Sequence, residues 1–204
     1  MQASDRSTGL GRCICYLLTL PDPERYSAQC KMLITVDSNV FINFFHKNDG
    51  QHENAVRLLS LAERGILEIQ TTTRLDNDIS RDPWKSMLQT IAVLSTDRVG
   101  APGRVGSSSV GGGDIIVSES ESRMLDQLLQ LIFPGATKSD KKYTNKIHDV
   151  DHLFAHHKST AIVFITSDVP ILRVAGRLAA EFGINVSGLH DFLDANGWAT
   201  ENAE

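Results

Sequence analysis

Short apolar, β-branched runs alternate along this chain with segments of helical periodicity. Residues 33–36, 66–69 and 161–165 have the length and composition of buried strands. The segments between them carry apolar residues every three or four positions, as amphipathic helices do. Because connections of this kind lay strands side by side in parallel, the pattern predicts an α/β fold with a mainly parallel sheet.

The bounds of the helices follow from this periodicity and from residues that stop helices. Glycine or proline at positions 65, 134, 135 and 183 ends the helical pattern that precedes it. The second strand is expected to extend through residues 71–73, with a helix starting near residues 76–78. The other predicted helices cover 39–45, 55–62, 120–132, 149–157 and 171–182, and a last strand and helical turn follow at 184–186 and 192–193.

The length of 204 residues fits one domain with an appended or inserted segment. Residues 1–31 have no repeat or strong periodicity, so they are treated as a leader, and residues 194–204 as a tail. The domain itself spans 32–193. Within it, glycine and serine are so frequent at about 96–118 that we expect a flexible insertion without a direct catalytic role.

Composition excludes several classes of protein. The 41% of apolar and 22% of charged residues are ordinary for a globular protein, and no run of about 18 apolar residues predicts a membrane span. Charged residues flank the apolar stretch 13–20, which argues against a signal peptide and predicts a cytoplasmic protein. The three cysteines, at positions 13, 15 and 30, do not make an even disulfide framework and are expected to be reduced.

Three aspartates stand beside these elements in separate parts of the chain. Asp37 and Asp168 each follow an apolar strand, and Asp149 stands at the predicted opening of a helix. Because ligands of open parallel sheets bind beyond the carboxyl ends of the strands, the acids that follow strands can meet there. Clustered carboxylates are the ligands that Mg²⁺ and Mn²⁺ prefer, so the three acids predict a metal site.

Each of these acids also fits a purely structural role. An aspartate before a helix is commonly its N-cap, and Asp37, Asp149 and Asp168 all precede or open predicted helices. Several histidines share the helix of Asp149, and His152 and His156 are four residues apart on one face. No H-E-x-x-H glutamate accompanies them, so the pattern favours core or surface histidines over metal ligands.

The net charge of −5 is not the basic footprint that most nucleic-acid-binding proteins have. A local basic stretch, residues 138–146, nevertheless lies just before the helix of Asp149. Its residues Lys141, Lys142 and Lys146 could contact a phosphate backbone, and Tyr143 could stack on a base. A solvated, charged loop explains the same stretch equally well.

Three motifs together resemble the PIN-domain family, whose best-known members are VapC-type toxin ribonucleases. They are the strand end Val36-Asp37-Ser38-Asn39, the helix segment Asp149-Val150-Asp151-His152 and the strand end Thr166-Ser167-Asp168. The resemblance covers residues 32–193 outside the insertion, and the order of the motifs matches as well. It implies a three-layer α/β/α fold around a central, mainly parallel sheet of four to five strands.

The resemblance also gives a role to each matching position. It implies that Asp37, Asp149 and Asp168 are catalytic acids that hold Mg²⁺ or Mn²⁺. Asn39 is then the polar neighbour that holds the first acid or contacts the substrate, and Thr166 is the hydroxyl that accompanies Asp168 and helps to position the substrate. The activity implied is that of an endoribonuclease, which hydrolyses phosphodiester bonds with the help of the metal.

The family's second acid, usually a glutamate shortly after the second strand, is an aspartate in this chain. Asp78 matches the position best and is the fourth predicted catalytic residue, with Asp76 as the alternative. Aspartate is one methylene shorter, so either its helix lies closer or the residue acts through water. Asp151 is the other contender on the helix of Asp149, but two positions along a helix it points away from that face.

The resemblance further implies partners. The substrate is single-stranded RNA, which Lys142 and Lys146 would help to position. A toxin-like member would form a homodimer and bind an antitoxin protein, whereas an RNA-processing member would act on cellular transcripts. No membrane is involved in either case.

Two other functions compete with this interpretation. The missing glutamate and the large insertion fit a PIN-like binding or scaffold module whose catalysis has weakened. A haloacid-dehalogenase-type phosphatase would use Asp37 as its nucleophile, but that class expects a second aspartate two residues later, where this chain has Asn39.

Overall fold

A computed structural model describes residues 31–47, 50–75, 78, 95–104 and 113–198. Within these ranges the chain is an α/β protein whose five parallel strands are flanked by seven helices, as the predicted class requires. The strands are β1 Met32–Val36, β2 Leu67–Thr72, β3 Ser95–Val99, β4 Phe164–Thr166 and β5 Val186–Gly188. The helices are α1 Ser38–Phe45, α2 His52–Glu63, α3 Glu119–Ile132, α4 Tyr143–His157, α5 Val169–Arg173, α6 Ala175–Phe182 and α7 Leu189–Ala195.

The order of the strands in the sheet is β3-β2-β1-β4-β5, and every neighbouring pair is parallel. The chain therefore builds outward from β1 to β3 on one side and later returns beside β1 with β4 and β5. We call the carboxyl ends of β1 and β4, where this order reverses, the switch point. Asp37 directly follows β1, and Asp168 lies two residues beyond β4, so both acids stand at the edge where ligands of such sheets bind.

Two apolar clusters pack helices on the sheet. The first joins β1 and β2 to α1, α2 and α7, and the second joins β4 to α3, α4 and α6. The adjacent residues Phe164 and Ile165 belong to different clusters because successive side chains of a strand point to opposite faces. This arrangement is consistent with the three layers expected from the sequence, with the sheet in the middle.

Helix α4 begins at Tyr143, well before Asp149, so the expectation that Asp149 opens this helix is wrong. The apolar stripe explains the earlier start. Tyr143, Ile147, Val150 and Phe154 follow one another at helical spacing, and all four pack in the second cluster. Asp149 is therefore an interior helical residue with no capping role.

Residues 95–99 form β3, so the expectation that a flexible insertion starts at about residue 96 is wrong for residues 96–99. β3 lies at the edge of the sheet, where a polar sequence is common, and therefore lacks the apolar alternation that identifies buried strands. Gln70 of β2 donates a hydrogen bond to Asp97 across the pair, with an Nε2–Oδ2 distance of 3.1 Å. Farther on, a bridge joins Pro102 to Ile115 on either side of residues 105–112, which lie outside the described ranges.

Helix ends agree with the stop and start signals of the sequence in most places. Gly65 and Gly183 follow α2 and α6 with φ of 68°, a backbone conformation that glycine adopts without strain. Helix α3 begins after Ser118, which forms a capping box with Glu121. The helix predicted at 171–182 is instead two helices, α5 and α6, separated at Val174.

Several expectations fall on residues that the structure does not describe. The leader up to residue 30 with the three cysteines, the alternative acid Asp76, and residues 199–204 of the tail are among them. Among the helices of the described ranges, none is long and apolar enough to cross a membrane.

Candidate functional site

Asp37 is buried at the end of β1, where neighbouring side chains orient its carboxylate. Thr166 Oγ1 donates to Asp37 Oδ2 at 2.6 Å, and Asn39 Nδ2 donates to the same oxygen at 3.2 Å. Although Asp37 is the N-cap residue of α1, its side chain makes no capping hydrogen bond. The carboxylate is thus directed toward the switch point. Asn39 contacts it as the resemblance implies, whereas the contact of Thr166 with Asp37 was not expected, since Thr166 was assigned to Asp168.

Asp168, in contrast, does cap a helix. Its Oδ1 accepts a hydrogen bond from the backbone N–H of Ile171 at 3.2 Å, in the first turn of α5. Its own N–H donates to Thr166 Oγ1 at 3.0 Å, so a single threonine hydroxyl connects the backbone of Asp168 to the carboxylate of Asp37. Partial burial raises the pKa of Asp168, and the charge of Asp37 contributes in the same direction.

Asp149 completes the group from helix α4. Burial raises its pKa to about 8, with further contributions from the negative charges of Asp37 and Asp168. Among the described residues, no donor forms a hydrogen bond with its carboxyl group. The three acids predicted from sequence therefore lie close enough together to oppose one another's ionisation. We call them the acidic cluster.

The acidic cluster has the ligand type that a divalent cation prefers, but its side chains are not arranged as a set of metal ligands. A cation would remove the mutual repulsion, and carboxylate oxygens are the ligands of Mg²⁺ and Mn²⁺. However, across the described ranges no group of three or more His, Cys, Asp or Glu side chains has an arrangement that could hold a metal ion. A set of ligands would require Asp37, Asp149 and Asp168 to turn toward a common point.

Asp78 lies beside the acidic cluster, but two histidines of α4 bind both of its oxygens. His148 Nδ1 lies 3.2 Å from Asp78 Oδ1, and His152 Nε2 lies 2.8 Å from Oδ2. Burial alone would raise the pKa of Asp78, but these hydrogen bonds outweigh burial and lower it. Ser38 Oγ lies 3.2 Å from Asp37 Oδ1 and 3.1 Å from Asp78 Oδ2, so one hydroxyl group joins the two acids. The predicted fourth acid is therefore near the site, and it serves there as a partner of histidine.

His152 places a positive charge next to the acids, a role that the sequence did not indicate. Burial alone would lower its pKa, but the hydrogen bond and charge of Asp78, with the charges of Asp37 and Asp149, raise it to about 9. Its second ring nitrogen, Nδ1, lies 2.5 Å from Thr72 Oγ1, which fixes the ring. The signal in the sequence was the spacing of His148 and His152, four residues apart on the face that Asp78 meets.

His156 has the structural role that its pattern predicted. The side chain is buried, and its Nδ1 lies 2.9 Å from Thr35 Oγ1 of β1. Burial lowers the pKa of His156 to about 4, and His157 contributes, so the ring is neutral at physiological pH. This histidine belongs to the packing of α4 on the sheet rather than to the acidic cluster.

Asp151, the alternative to Asp149, is fully buried in a network of ion pairs. Arg74 Nε lies 3.0 Å from its Oδ2, and Arg104 Nη2 lies 2.6 Å from its Oδ1. Arg74 also pairs with Asp114 at 3.2 Å and donates to the carbonyl oxygen of Pro102. This arginine–aspartate network holds the segments on both sides of residues 105–112 against α4. Asp151 is therefore structural, and it faces away from Asp149 as predicted.

The basic stretch before α4 divides into engaged and exposed lysines. Lys146 Nζ is 2.8 Å from Asp140 Oδ2 and 5.8 Å from the centre of the Phe133 ring, so contacts within the protein occupy this predicted RNA-binding residue. Lys142 is exposed at the N-cap position of α4 and pairs with no acid of the described ranges. Of these two lysines, only Lys142 is therefore available to a ligand.

The fold and the site together define an α/β protein with an acidic cluster at the switch point of a parallel sheet. Neither the models of protein families nor the curated proteins include a match to this chain. The resemblance to the PIN-domain family accordingly stays a prediction that rests on the motifs themselves.

Proposed function

We propose that this protein is a divalent-metal-dependent endoribonuclease that hydrolyses phosphodiester bonds in single-stranded RNA. The observation that carries the proposal is that Asp37, Asp149 and Asp168, which come from three separate elements, lie close enough together for their charges to interact. Asp149 in particular has no hydrogen-bond partner in the described ranges, although it is interior to a helix and partly buried. A carboxyl group without a structural partner is a frequent mark of a functional site.

The acidic cluster would hold Mg²⁺ or Mn²⁺. Such a cation, when bound, activates water as a nucleophile and stabilises the charge that develops on the phosphate. The chain itself orients the first acid, because Thr166 and Asn39 donate to Asp37 Oδ2. His152 holds Asp78 beside the acids and offsets part of their charge.

The choice of RNA as substrate comes from the resemblance, with support from charge near the site. Lys142 is exposed at the start of α4, the helix that carries Asp149, and a cation there attracts a phosphate backbone. We extend the proposal to a cytoplasmic, toxin-like or RNA-processing enzyme. For a toxin-like enzyme it includes a homodimer and an antitoxin partner.

The bonding of Asp78 favours a second candidate function. Both oxygens of this acid bind histidine, and the acidic cluster is not preassembled as a set of metal ligands. A PIN-like module with weakened catalysis, which binds RNA or acts as a scaffold, would have these properties. A haloacid-dehalogenase-type phosphatase has less support, because Asn39 stands where that class needs its second aspartate.

A cleavage assay on a mixed pool of single-stranded RNA tests the proposal. We expect fragments with Mn²⁺ or Mg²⁺ and none with EDTA. Asp37→Asn and Asp149→Asn should each reduce the rate by about 100-fold or more, since each removes a charged ligand of the catalytic cation. Asp194→Asn is the matched control, because Asp194 is an exposed aspartate of α7 that makes no side-chain hydrogen bond within the described ranges.

The outcomes separate the candidates. Cleavage that persists in both Asp37→Asn and Asp149→Asn would reject the assignment of the catalytic acids. RNA that binds to the protein and stays intact under every metal condition would favour the weakened module. Hydrolysis of a small phosphate ester, without cleavage of RNA, would favour the phosphatase.

A further inference from the structure

A groove of about 710 Å³ lies along the exposed side of α2. Side chains of α2 form most of its walls, and Ile66 before β2 and Trp198 after α7 complete them. Val56 and Ile66 are 40% and 36% exposed, and they are two of the five large apolar side chains that are exposed in the described ranges. Exposed apolar side chains that meet at one concave surface are typical of a contact with another protein.

The charged side chains of the groove make no ion pairs with the part of the chain that the structure describes. Glu53 and Arg57 are four residues apart on α2, a spacing at which such pairs commonly form, yet these two side chains do not pair. Arg177 and Glu181 of α6 have the same spacing and are 2.8 Å apart. Arg64, at the C-cap of α2, also pairs with no acid of the described ranges. The groove therefore presents one acid and two arginines to a partner.

A second copy of α2 would complement these charges. Glu53, Arg57, Ser60 and Arg64 follow one another at intervals of four, three and four residues, which keeps them on one face of the helix. This pattern is symmetric about a midpoint between residues 58 and 59. A twofold axis there would pair α2 with an antiparallel copy, so that Glu53 lies opposite the partner's Arg64. Arg57 then lies opposite the partner's Ser60, and the axis repeats each contact.

The apolar side chains follow the same symmetry. In this register Val56 lies opposite the partner's Leu61, and both residues line the groove. A nucleic acid or a strongly acidic peptide fits less well, because Glu53 would repel it and Val56 and Ile66 would meet polar groups. A copy of the same chain is the occupant that satisfies the acid, the arginines and the apolar side chains together.

We propose that this groove is the interface of a homodimer, in which α2 of one chain packs antiparallel against α2 of its partner. Burial of Val56, Ile66 and Trp198 supplies most of the affinity, because exposed ion pairs contribute little. The charges of Glu53 and Arg64 set the register and the direction of the partner helix. The interface gives a location to the homodimer included above for a toxin-like enzyme, but it rests on α2 and not on ribonuclease activity.

Sedimentation of the full chain over a range of concentrations tests the interface. We expect a reversible equilibrium between monomer and dimer. Glu53→Arg and Arg64→Glu should each weaken dimerisation by about 10-fold or more, because each substitution places like charges opposite one another at two symmetric points. Glu63→Arg is the matched control, since Glu63 is an exposed glutamate of the same helix that does not line the groove. It should change the dissociation constant by less than about 2-fold.

An equimolar mixture of the two charge-reversed proteins gives the sharpest result. In a mixed dimer the new arginine of Glu53→Arg faces the new glutamate of Arg64→Glu, and the remaining original glutamate and arginine face each other. Mixed dimers should therefore form at close to wild-type affinity, although each variant alone is largely monomeric. A fluorescent label on one variant distinguishes mixed dimers in the sedimentation experiment. Both positions are exposed, and circular dichroism checks that the variants are folded.

Three results would overturn the proposal. The first is a full chain that stays monomeric up to about 0.5 mM, which would leave the groove to a different partner. The second is a dimer that neither charge reversal weakens, and the third is a dimer that Glu63→Arg weakens equally.

Sedimentation and RNA cleavage give independent answers. A monomeric protein that cleaves RNA with metal keeps the proposed function and lacks this interface. A protein that dimerises as predicted but cleaves no RNA keeps the interface and loses the enzymatic function.

Discussion

Two aspartates of helix α4, only two positions apart, have opposite electrostatic surroundings. Asp151 is fully buried, and two arginine side chains bind its carboxylate at 3.0 and 2.6 Å. Burial raises the pKa of Asp149 to about 8, and the neighbouring acids Asp37 and Asp168 contribute in the same direction. One helix thus carries, on one face, a carboxylate whose charge two arginines compensate and, on another, a carboxyl group whose acidic neighbours His152 offsets only in part. We call them the compensated and the uncompensated acid.

The difference teaches how to distinguish structural from functional acids in this fold. A buried carboxylate with cationic partners holds segments of the chain together, because removing it leaves those partners unpaired in a medium of low polarity. A partly buried carboxyl among like charges reduces stability, and proteins retain such an arrangement where it serves a ligand. The four predictions below test this contrast.

The largest expected effect comes from removing Asp151, the compensated acid. Asp151→Asn should lower the free energy of unfolding by about 3–5 kcal/mol, because Arg74 and Arg104 would lose their shared anion. Urea denaturation measures the change, and Asp194→Asn, at an exposed position, should stay within about 0.5 kcal/mol of wild type. A loss below about 1 kcal/mol for Asp151→Asn would contradict the structural role given to this network.

A divalent cation that binds at the acidic cluster should stabilise the folded protein. Millimolar Mn²⁺ or Mg²⁺ should raise the Tm of the wild-type protein by about 5–10 °C if the ion is present at roughly 100 times its Kd. Differential scanning fluorimetry with and without EDTA measures the shift. Asp149→Asn should show little or no shift, since it removes a ligand, and Asp194→Asn should respond as the wild type does. An unchanged Tm in the wild type would count against a metal in the acidic cluster.

Asp149→Asn, which removes a charge from the acidic cluster, should raise the free energy of unfolding of the metal-free protein. Asp151→Asn should lower it. The pKa of Asp149 in the folded protein, about 8, lies above its ordinary value of 3.8, so the folded state holds this proton more tightly. The stability contributed by this group is therefore present at low pH and falls as pH rises from about 4 to about 8. Asp149→Asn should become more stable than wild type across this window, by on the order of 2 kcal/mol near pH 8.

Urea denaturation in EDTA at several pH values checks this prediction. A difference between variant and wild type that does not change between pH 5 and pH 8 would show that Asp149 is not held among like charges. The same series on Asp194→Asn should be flat, because that carboxylate is exposed in α7.

The smallest effect is expected at a surface ion pair. Lys146→Ala removes the contact with Asp140, but both side chains are accessible to solvent, so Tm should change by less than about 2 °C. RNA binding should also change little, because Lys146 is occupied within the protein. Strong loss of RNA binding in this variant alone would restore Lys146 as a substrate contact.

Much of the fold was accessible from the sequence because buried strands and amphipathic helices leave periodic patterns. Strands β1 and β2 and the helix ends at Gly65 and Gly183 follow directly from such patterns. β3 could not be predicted in the same way. Its sequence is polar because an edge strand buries less of its surface, and its backbone pairing with β2 has no sequence pattern.

The sequence predicted which acids belong to the candidate site, but it did not predict which charged partners surround them. Asp37 and Asp168 were located by the strands that they follow, and the structure brings both to the switch point. The binding of Asp78 by His148 and His152 was missed, because it depends on how α4 lies over the end of β2. Such packing brings together residues that are far apart in the sequence, and no periodic pattern of residues predicts these pairs.

The hydroxyl of Thr166, which orients Asp37, belongs to a residue 129 positions later in the chain. Strands β1, β2 and β3 precede β4, so a growing polypeptide can assemble that half of the sheet before Thr166 and Asp168 have been synthesised. Pairing of β4 with β1 is a contact of long sequence separation and forms late for the same reason. The acidic cluster is therefore assembled only after β4 and Asp168 have been synthesised, and a growing chain that has not reached them carries Asp37 without the hydroxyl that orients it.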